Sequence, residues 1–405
     1  MTEIVAEFGG SAPHAMSEYY AGAGLVKVGT QNQDGTAIPA VGLPISFNNF
    51  YGSKTGTTVT VITSSQNWTC PTGVTQVNII VVGGGGGGGS ARNGVYGSCV
   101  TGGGGGGAGG LCTGVIDVTP GTSYYCEVGA GGAGSLGFAS TSVPQTEGPL
   151  ARNGSQSAIY NGSYGSGVKL TTAGKYAIGY GGGGGGSGAK VLAVESRVVS
   201  QYLDQTISGT VYYLTVDYTT ANGLNGASGG GAASPAFTTS VVNQTSYGPY
   251  SGGLAIPSGW DYGQSGGNMT YTGKTHLVAP CGGGGYSGKG GDNSALATYL
   301  NGTSTLSTGG PGLTMLIGDT TYNLAGGGAA GGSYMGSNNP NTNINLGASI
   351  GGGGSGGYTR GSYGDQGGNG QTNTGGGGGG GGGAQVTTGP GIGGNGGGGV
   401  IIIYY

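Results

Sequence analysis

Seven consecutive glycines, Gly83 to Gly89, constrain this chain more than any other feature, and they follow directly on the apolar run 77–82. Such a run does not form a stable α-helix, because glycine costs about 1 kcal/mol per residue relative to alanine in a helix, and it also weakens a β-strand. The polyproline-II geometry suits it, with three residues per turn and a rise of about 3.1 Å per residue. Without Cβ atoms, several such rods can lie side by side and bond to each other through their backbones. We therefore predict a bundle of polyglycine-II rods.

Eight further glycine runs supply the other rods of this bundle, at 102–107, 181–186, 229–231, 282–285, 326–328, 351–354, 375–383 and 396–399. The glycines that we take to represent the scaffold are Gly83, Gly86, Gly104, Gly183, Gly283, Gly378 and Gly398. Disorder is the alternative, because glycine and proline make up about 30% of the chain, a level typical of low complexity. A hydrophobic content of 35% and 26 tyrosines argue against a solvated linker.

The charge content of the chain excludes several classes of protein. Eleven Lys and Arg residues are scattered along the sequence and the net charge is −3, whereas a nucleic-acid binder needs clustered cations. No stretch of about 18 apolar residues is present to span a membrane. The first residues lack the pattern of a secretory signal, and the five cysteines show no CxxC spacing. We expect synthesis in a cytoplasm, with the cysteines reduced and buried.

Residues 1–52 differ from the rest because their glycine content is ordinary. A segment of this length buries little core alone, so we predict that it docks on a partner, with Phe47, Phe50 and Tyr51 as contacts. Its two blocks, 11–20 (SAPHAMSEYY) and 45–52 (ISFNNFYG), resemble the N-terminal leader of tailed-bacteriophage tail proteins. That resemblance implies attachment to other tail proteins.

Residues 57–63 and 74–82 are rich in β-branched residues and predict two strands, separated by a turn at 68–73 that carries Trp68. This order, followed by a glycine run, resembles the glycine-rich domain of phage tail and tail-fibre proteins. The resemblance extends to residues 118–134, implying a second strand and a Gly-Ala-Gly-Gly turn, and to 400–405, implying a closing strand.

The apolar runs 77–82 and 400–405 predict strands buried on both faces, which we expect to pair in one small sheet. The predicted fold is mainly β and irregular, with little or no α-helix. We divide it into a docking segment (1–52), a β-framework (53–135 with 384–405) and a polyglycine-II bundle with long inserted loops (136–383).

One insertion, 190–205, has apolar residues at helical spacing, although its β-branched content equally favours a strand, so a helix there is an open alternative. The segment that follows it, 211–218, predicts a strand.

The candidate catalytic and metal-binding motifs in the sequence are either incomplete or non-specific. Repeated glycine satisfies GxGxxG trivially, and Gly273-Lys274-Thr275 lacks the upstream glycine of a phosphate-binding loop. The two histidines, His14 and His276, have no carboxylates at metal-binding spacing. We predict no enzymatic activity, no metal and no cofactor.

Aromatic residues on the inserted loops favour a binding role, because tyrosine offers contact area at a small entropic cost. The candidates for receptor contact are Tyr247, Tyr250, Trp260, Tyr262 and Tyr271. Each of them could instead cover glycine backbone, but long irregular loops are generally functional.

The plan is similar to that of the T-even-type tail-fibre adhesins, in which a sandwich of polyglycine-II helices presents variable loops to the host surface. The resemblance implies a virion tail protein that binds an outer-membrane protein or glycan, as a homo-oligomer such as a trimer. This chain departs from that plan in its leader and its Trp68 domain. The alternatives are a purely structural tail component and an ice-binding bundle, which needs a flat face of regularly spaced small residues.

Overall fold

The computed structural model describes residues 4, 8, 15–21, 25–26, 30, 37–50, 58–93, 100–137, 150–162, 168–172, 175–187, 190–199, 209–217, 221–233, 263–268, 280–292, 308–318, 320–332, 349–357, 359–360, 363–383 and 391–405. The chain divides into two compact units. Unit 1 comprises Met1–Val59, Leu316–Thr320 and Tyr404–Tyr405, and unit 2 comprises Thr60–Met315 and Thr321–Ile403.

The fold is mainly β and irregular, as predicted. The described helical residues are two 3-10 turns, Met16–Tyr19 and Phe47–Phe50, together with Ile4 and Phe8, which have α-helical backbone. The strands are β1 (Val59–Ile62), β2 (Gln66–Thr69), β3 (Gln76–Val82), β4 (Arg92–Asn93), β5 (Val100–Thr101), β6 (Leu111–Asp117), β7 (Ser123–Glu127), β8 (Ser157–Asn161), β9 (Val168–Lys169), β10 (Thr171–Thr172), β11 (Lys175–Tyr176), β12 (Ile178–Gly179), β13 (Lys190–Val199), β14 (Gly209–Asp217), β15 (Leu313–Ile317), β16 (Thr320–Leu324), β17 (Thr359–Arg360), β18 (Tyr363–Gly364) and β19 (Val400–Tyr404).

A four-stranded sheet joins the two ends of the glycine-rich region in the order β1-β19-β3-β6. The apolar runs predicted to pair therefore do so, as β3 and β19. Ile80, Ile401 and Ile403 are fully buried, as expected for central strands covered on both faces. Strand β3 also pairs antiparallel with β6, from Gln76 opposite Asp117 to Val82 opposite Leu111.

A five-stranded sheet with the order β12-β8-β7-β2, and β9 beside β8, holds Trp68. Trp68 lies within strand β2 opposite Tyr124, and not in the turn predicted at 68–73. The two rings are 5.9 Å apart, so burial of aromatic area holds this residue in the sheet. The turn itself begins after Pro71, and Gly73 takes a positive φ of 82° there.

The glycine runs are rods that bond to neighbouring rods with a period of three residues. Five rods contain such runs, namely R1 (83–90), R2 (102–110), R5 (180–187), R6 (375–383) and R7 (391–399), and two further rods, R3 (129–135) and R4 (151–155), pack with them. Gly83, Gly86 and Gly89 donate their amides to carbonyls of R2 at 2.8–2.9 Å. The intervening residues of R1 donate to R4 and to R7 in the same alternation. Each neighbour is met once per turn, as the three-residue polyproline-II turn requires.

Rod R1 also accepts hydrogen bonds, and it does so from the other three rods. Gly182 of R5, Gly132 of R3 and Gly378 of R6 each donate to a carbonyl of R1 at 2.8–2.9 Å. These three donors run parallel to R1, whereas the three acceptors run antiparallel. The six neighbours bond to one another in the order R3-R4-R5-R2-R6-R7 and back to R3. A closed ring of six rods therefore surrounds R1 in hexagonal packing.

Several rods contain no long glycine run. Residues 129–134, implied to be a turn by the resemblance, form rod R3, whose Gly132 and Ser135 donate to R1. The implied turn is therefore wrong. Along R3, Gly132 and Ser135 are buried while Ala130, Ala133 and Leu136 are exposed. Only the positions that face another rod exclude a side chain, so every third residue is free to vary.

Over residues 190–199 the helix considered for 190–205 is also wrong, because they form strand β13, while 200–205 lie outside the described residues. It pairs antiparallel with β14 from Lys190 opposite Asp217 to Val199 opposite Gly209, with one irregularity between Val191 and Ala193. The β-branched valines of this segment favour extended backbone over helix. Strand β14 confirms the strand predicted at 211–218.

Unit 1 has a small core of its own, although its first fifty residues were expected to bury little. Tyr19 is fully buried, and Phe50 packs edge-on against both Tyr19 and Phe8. The remaining buried members of this cluster are Ile4, Ala21, Val26 and Ile38.

Candidate functional site

The rod bundle has two different ends. Strands β3, β7 and β12 lead into R1, R3 and R5, while R2, R4 and R7 lead into β6, β8 and β19. Because the first three rods run opposite to the last three, all six strand junctions fall at one end of the bundle. We call this the sheet end and the opposite one the loop end.

Most of the inserted connections begin and finish at the loop end. The direction of each rod follows from its hydrogen-bond register with a named rod, and on this basis the loop-end connections are residues 91–101, 136–150, 188–220, 268–280, 292–307, 358–364 and 384–390. Two others, 234–262 and 333–348, leave a rod at the loop end and rejoin the bundle at the opposite end. The described flanks of these seven connections therefore meet at one end of the bundle.

The described parts of the loop end include two antiparallel strand pairs and one exposed ion pair. The connection 188–220 contains the β13–β14 hairpin, and 91–101 contains the shorter β4–β5 pair. Lys289 and Asp292 form an ion pair of 2.7 Å beside the connection 292–307. Their side chains are 38% and 48% exposed, so this pair contributes little to stability.

The aromatic residues predicted to contact a receptor lie outside the described residues; they are Tyr247, Tyr250, Trp260, Tyr262 and Tyr271. Their flanking rods are described. Tyr247, Tyr250, Trp260 and Tyr262 belong to the connection 234–262, and Ala233, the residue before it, lies at the loop end. Both residues that flank the segment 269–279, which contains Tyr271, also lie at the loop end.

The scaffold glycines lie in the rods. Gly83, Gly86, Gly104, Gly183, Gly283 and Gly378 each donate to a neighbouring rod at 2.8–2.9 Å. Gly398 differs, because it accepts from Gly375 and faces outward, where an added Cβ would meet nothing nearer than 3.8 Å.

The three predicted attachment residues fall in different surroundings. Phe47 is 57% exposed, whereas Phe50 is buried in the core of unit 1. Tyr51 lies outside the described residues. Exposed Val41 and Leu43 accompany Phe47 in the segment 41–47. Attachment through Phe47 stays a prediction.

Three asparagine side chains satisfy amides at the margins of the bundle, and sequence reasoning missed them. Oδ1 of Asn153 accepts the N–H group of Gly184 at 3.0 Å. Oδ1 of Asn395 accepts that of Gly134 at 2.9 Å, and Oδ1 of Asn369 accepts that of Asn395 at 2.9 Å. An outer rod has amides that no further rod accepts, and these side chains cover some of them. The repeated motif Gly-Gly-Asn-Gly at 367–370 and 393–396 is the signal that could have identified two of the three.

Sequence reasoning also missed a set of buried serines at the loop end, Ser90, Ser135 and Ser187, each at most 1% exposed. Each is the first residue after a glycine-rich run, and that position is the only signal for them in the sequence.

The described cysteines, at positions 70, 112, 126 and 281, are buried, as predicted, and Cys70 and Cys126 are free thiols. Burial raises the pKa of the Cys126 thiol to about 12, and it also raises that of Cys70. Raised pKa values make these thiols poor nucleophiles near neutral pH.

Among the described residues, no group of three His, Cys, Asp or Glu side chains is placed to hold a metal ion. No helix in the same part of the chain has the length and apolar character needed to cross a membrane. Neither a protein-family model nor a curated protein matches this sequence.

Proposed function

We propose that this protein is a tail-fibre or tail-tip adhesin of a tailed bacteriophage, whose rod bundle holds receptor-binding loops against the host surface. The observation that supports it most directly is the gathering of the inserted connections at one end of the bundle. Binding residues commonly lie on loops that a rigid scaffold positions. The resemblance of the leader and of the glycine-rich domain to phage tail proteins supplies the biological setting.

The physical mechanism is adhesion by loops that are anchored on a rigid scaffold. Rod R1 has a hydrogen-bonded neighbour on all six sides, so the scaffold that anchors the connections is ordered before binding. The partners are an outer-membrane protein or glycan at the loop end, and other tail proteins through residues 1–52. Several copies on one virion, for example a trimer, would add avidity. The protein acts in the virion tail after synthesis in the host cytoplasm, without enzymatic activity.

The test compares phage that carry altered ends of this chain. In one variant, residues 269–279, which include Tyr271, are replaced by a Gly/Ser segment of equal length. In the matched control, exposed Thr372 in the turn 372–375 that leads into R6 at the sheet end is changed to serine. We expect the first variant to assemble normally but adsorb poorly, and the control to adsorb normally.

Two other outcomes separate the alternatives. Failure of the loop variant to assemble would favour a purely structural tail component. Normal adsorption of every loop-end variant, tested connection by connection, would contradict the adhesin proposal.

The outer face of the bundle gives little support to the ice-binding alternative. Exposed or partly exposed positions recur there every third residue, as Ala130, Ala133 and Leu136 along R3 and as Ile392, Asn395 and Gly398 along R7. Large or polar side chains thus interrupt the small ones on both lines of residues. A thermal-hysteresis measurement on the purified chain tests this alternative directly.

A further inference from the structure

Three buried hydroxyls meet where rods R1, R3 and R5 reach the loop end. The hydroxyl of Ser187 donates to Oγ of Ser135 at 2.9 Å, and Oγ of Ser90 lies 2.9 Å from the same atom. The amide of Ser90 donates to Oγ of Ser187 at 3.4 Å. Ser135, whose hydroxyl also donates to the carbonyl of Leu136 at 3.4 Å, is thus the centre of a polar group that we call the serine layer.

The three rods of the serine layer are parallel and equal in length. Each serine is the eighth residue after the last residue of the preceding strand, which is Val82, Glu127 or Gly179. At about 3.1 Å per residue, eight residues carry each rod roughly 25 Å from its strand. Equal lengths bring the three hydroxyls to one height.

The rods have few means of fixing their loop ends apart from this layer. At the sheet end, each rod is held by the pairing of its strand. Along the rod, the contacts are backbone hydrogen bonds that repeat every three residues, so they look alike at successive turns. A buried polar side chain that is satisfied only in one arrangement gives specificity that such uniform contacts lack, as a buried asparagine does in coiled coils.

We propose that the serine layer is a clamp that fixes the loop ends of R1, R3 and R5 at one height. It thereby positions the three connections that leave these rods, 91–101, 136–150 and 188–220. The clamp itself follows from the geometry of the bundle, and its importance for adhesion rests on the proposed function.

The test is amide hydrogen exchange in the full chain with Ser90, Ser135 and Ser187 all changed to alanine. This variant removes all three hydroxyls together, so no serine hydroxyl is left without its partner in the layer, and the Ser90 amide is the group that loses an acceptor. The loss of roughly one or two net hydrogen bonds lowers the free energy of local opening at this end of the rods. We therefore expect the loop-end amides of Gly89, Ser135 and Gly186 to exchange about tenfold faster. The amides of Gly83 and Gly182, which lie nearer the sheet end, should be unchanged.

A disulfide between two of the three positions provides a second test of the clamp. In Ser90→Cys/Ser135→Cys, the two sulfur atoms replace hydroxyl oxygens 2.9 Å apart, and a small shift allows the 2.05 Å bond. Oxidation of this variant should slow exchange at the loop-end amides, and reduction should reverse the effect. If the alanine variant does not fold, the difference in amide exchange between the oxidised and the reduced cysteine variant tests the clamp instead.

Exchange that is unchanged, or that accelerates equally at both ends, would overturn the clamp. Adsorption by phage carrying the alanine variant separates the clamp from the proposed function. Selective loss of protection at the loop end with normal adsorption would leave the clamp standing and count against adhesion through these three connections.

Discussion

Gly86 donates its amide to the carbonyl of Gly107 and accepts the amide of Gly378, at 2.8 and 2.9 Å. These three glycines come from three separate runs, so rods distant in sequence converge on one residue. A Cβ atom on Gly86 would overlap the carbonyl oxygen of Gly183 on a further rod. The absence of a side chain is therefore required at this position by the packing of backbone on all sides.

Gly86→Ala should destabilise the bundle severely. The atoms in the way are backbone carbonyls that cannot move aside as a flexible side chain can, so we expect a loss of at least about 3 kcal/mol in the free energy of unfolding, or failure to fold. Gly398→Ala is the matched control, since its added Cβ meets nothing within 3.8 Å, and it should change stability by less than about 0.5 kcal/mol. Denaturant unfolding measures both, and equal effects would contradict hexagonal packing.

The stability of the protein should fall at alkaline pH through Cys126. Burial raises the pKa of this thiol from 9.0 to about 12, whereas in the unfolded chain it ionises near its ordinary value. Its contribution is therefore complete below pH 9, and between pH 9 and 12 it declines by about 1.4 kcal/mol per pH unit, because only the unfolded state loses the proton. Tyrosine and lysine also titrate in this range, so the measurement is the difference between wild type and Cys126→Ala. Parallel alkaline curves for the two proteins would show that Cys126 is not responsible.

Tyr124→Phe should weaken the sheet around Trp68. The Tyr124 Oη atom accepts the amide of Thr119 at 2.8 Å, and the substitution leaves that amide without its acceptor. We expect a loss of about 1–2 kcal/mol in unfolding free energy, followed by Trp68 fluorescence during denaturation. Tyr180→Phe is the control, because Tyr180 is 41% exposed. A loss of equal size in the control would show that the effect does not come from the Thr119 amide.

The sequence predicted the rods and the pairing of β3 with β19 because both follow from local chemistry. Glycine runs admit one ordered conformation, and apolar runs such as 77–82 need burial on both faces. Rods R3 and R4 escaped prediction because they face other rods at only some positions, so residues such as Ala133 and Arg152 interrupt the glycine pattern. The helix considered at 190–205 failed because side-chain spacing alone cannot separate it from a strand rich in valine.

The candidate site was predictable only in outline. Long insertions between rods indicate loops, but the end of the bundle at which each one emerges depends on rod direction. That direction is set by pairing between residues such as Gly105 and Cys281, which no local pattern reveals. The serine layer depends on three equal rod lengths, a relationship that appears only once the ends of β3, β7 and β12 are known.

Asn395→Ala should increase self-association through the outer face of the bundle. The Asn395 side chain accepts the amide of Gly134 on R3, and the backbone amide of Asn395 itself donates to Oδ1 of Asn369. Removing the side chain leaves the Gly134 amide open on an outer rod, much as an uncovered edge strand exposes its ladder. Because water can replace the lost acceptor, we expect at most about 1 kcal/mol of destabilisation, together with more dimer at high concentration in sedimentation velocity. Gln366→Ala, at an exposed position of the neighbouring rod 365–371, should remain at the wild-type level. If both variants behave as wild type, the asparagines do not protect the edge of the bundle.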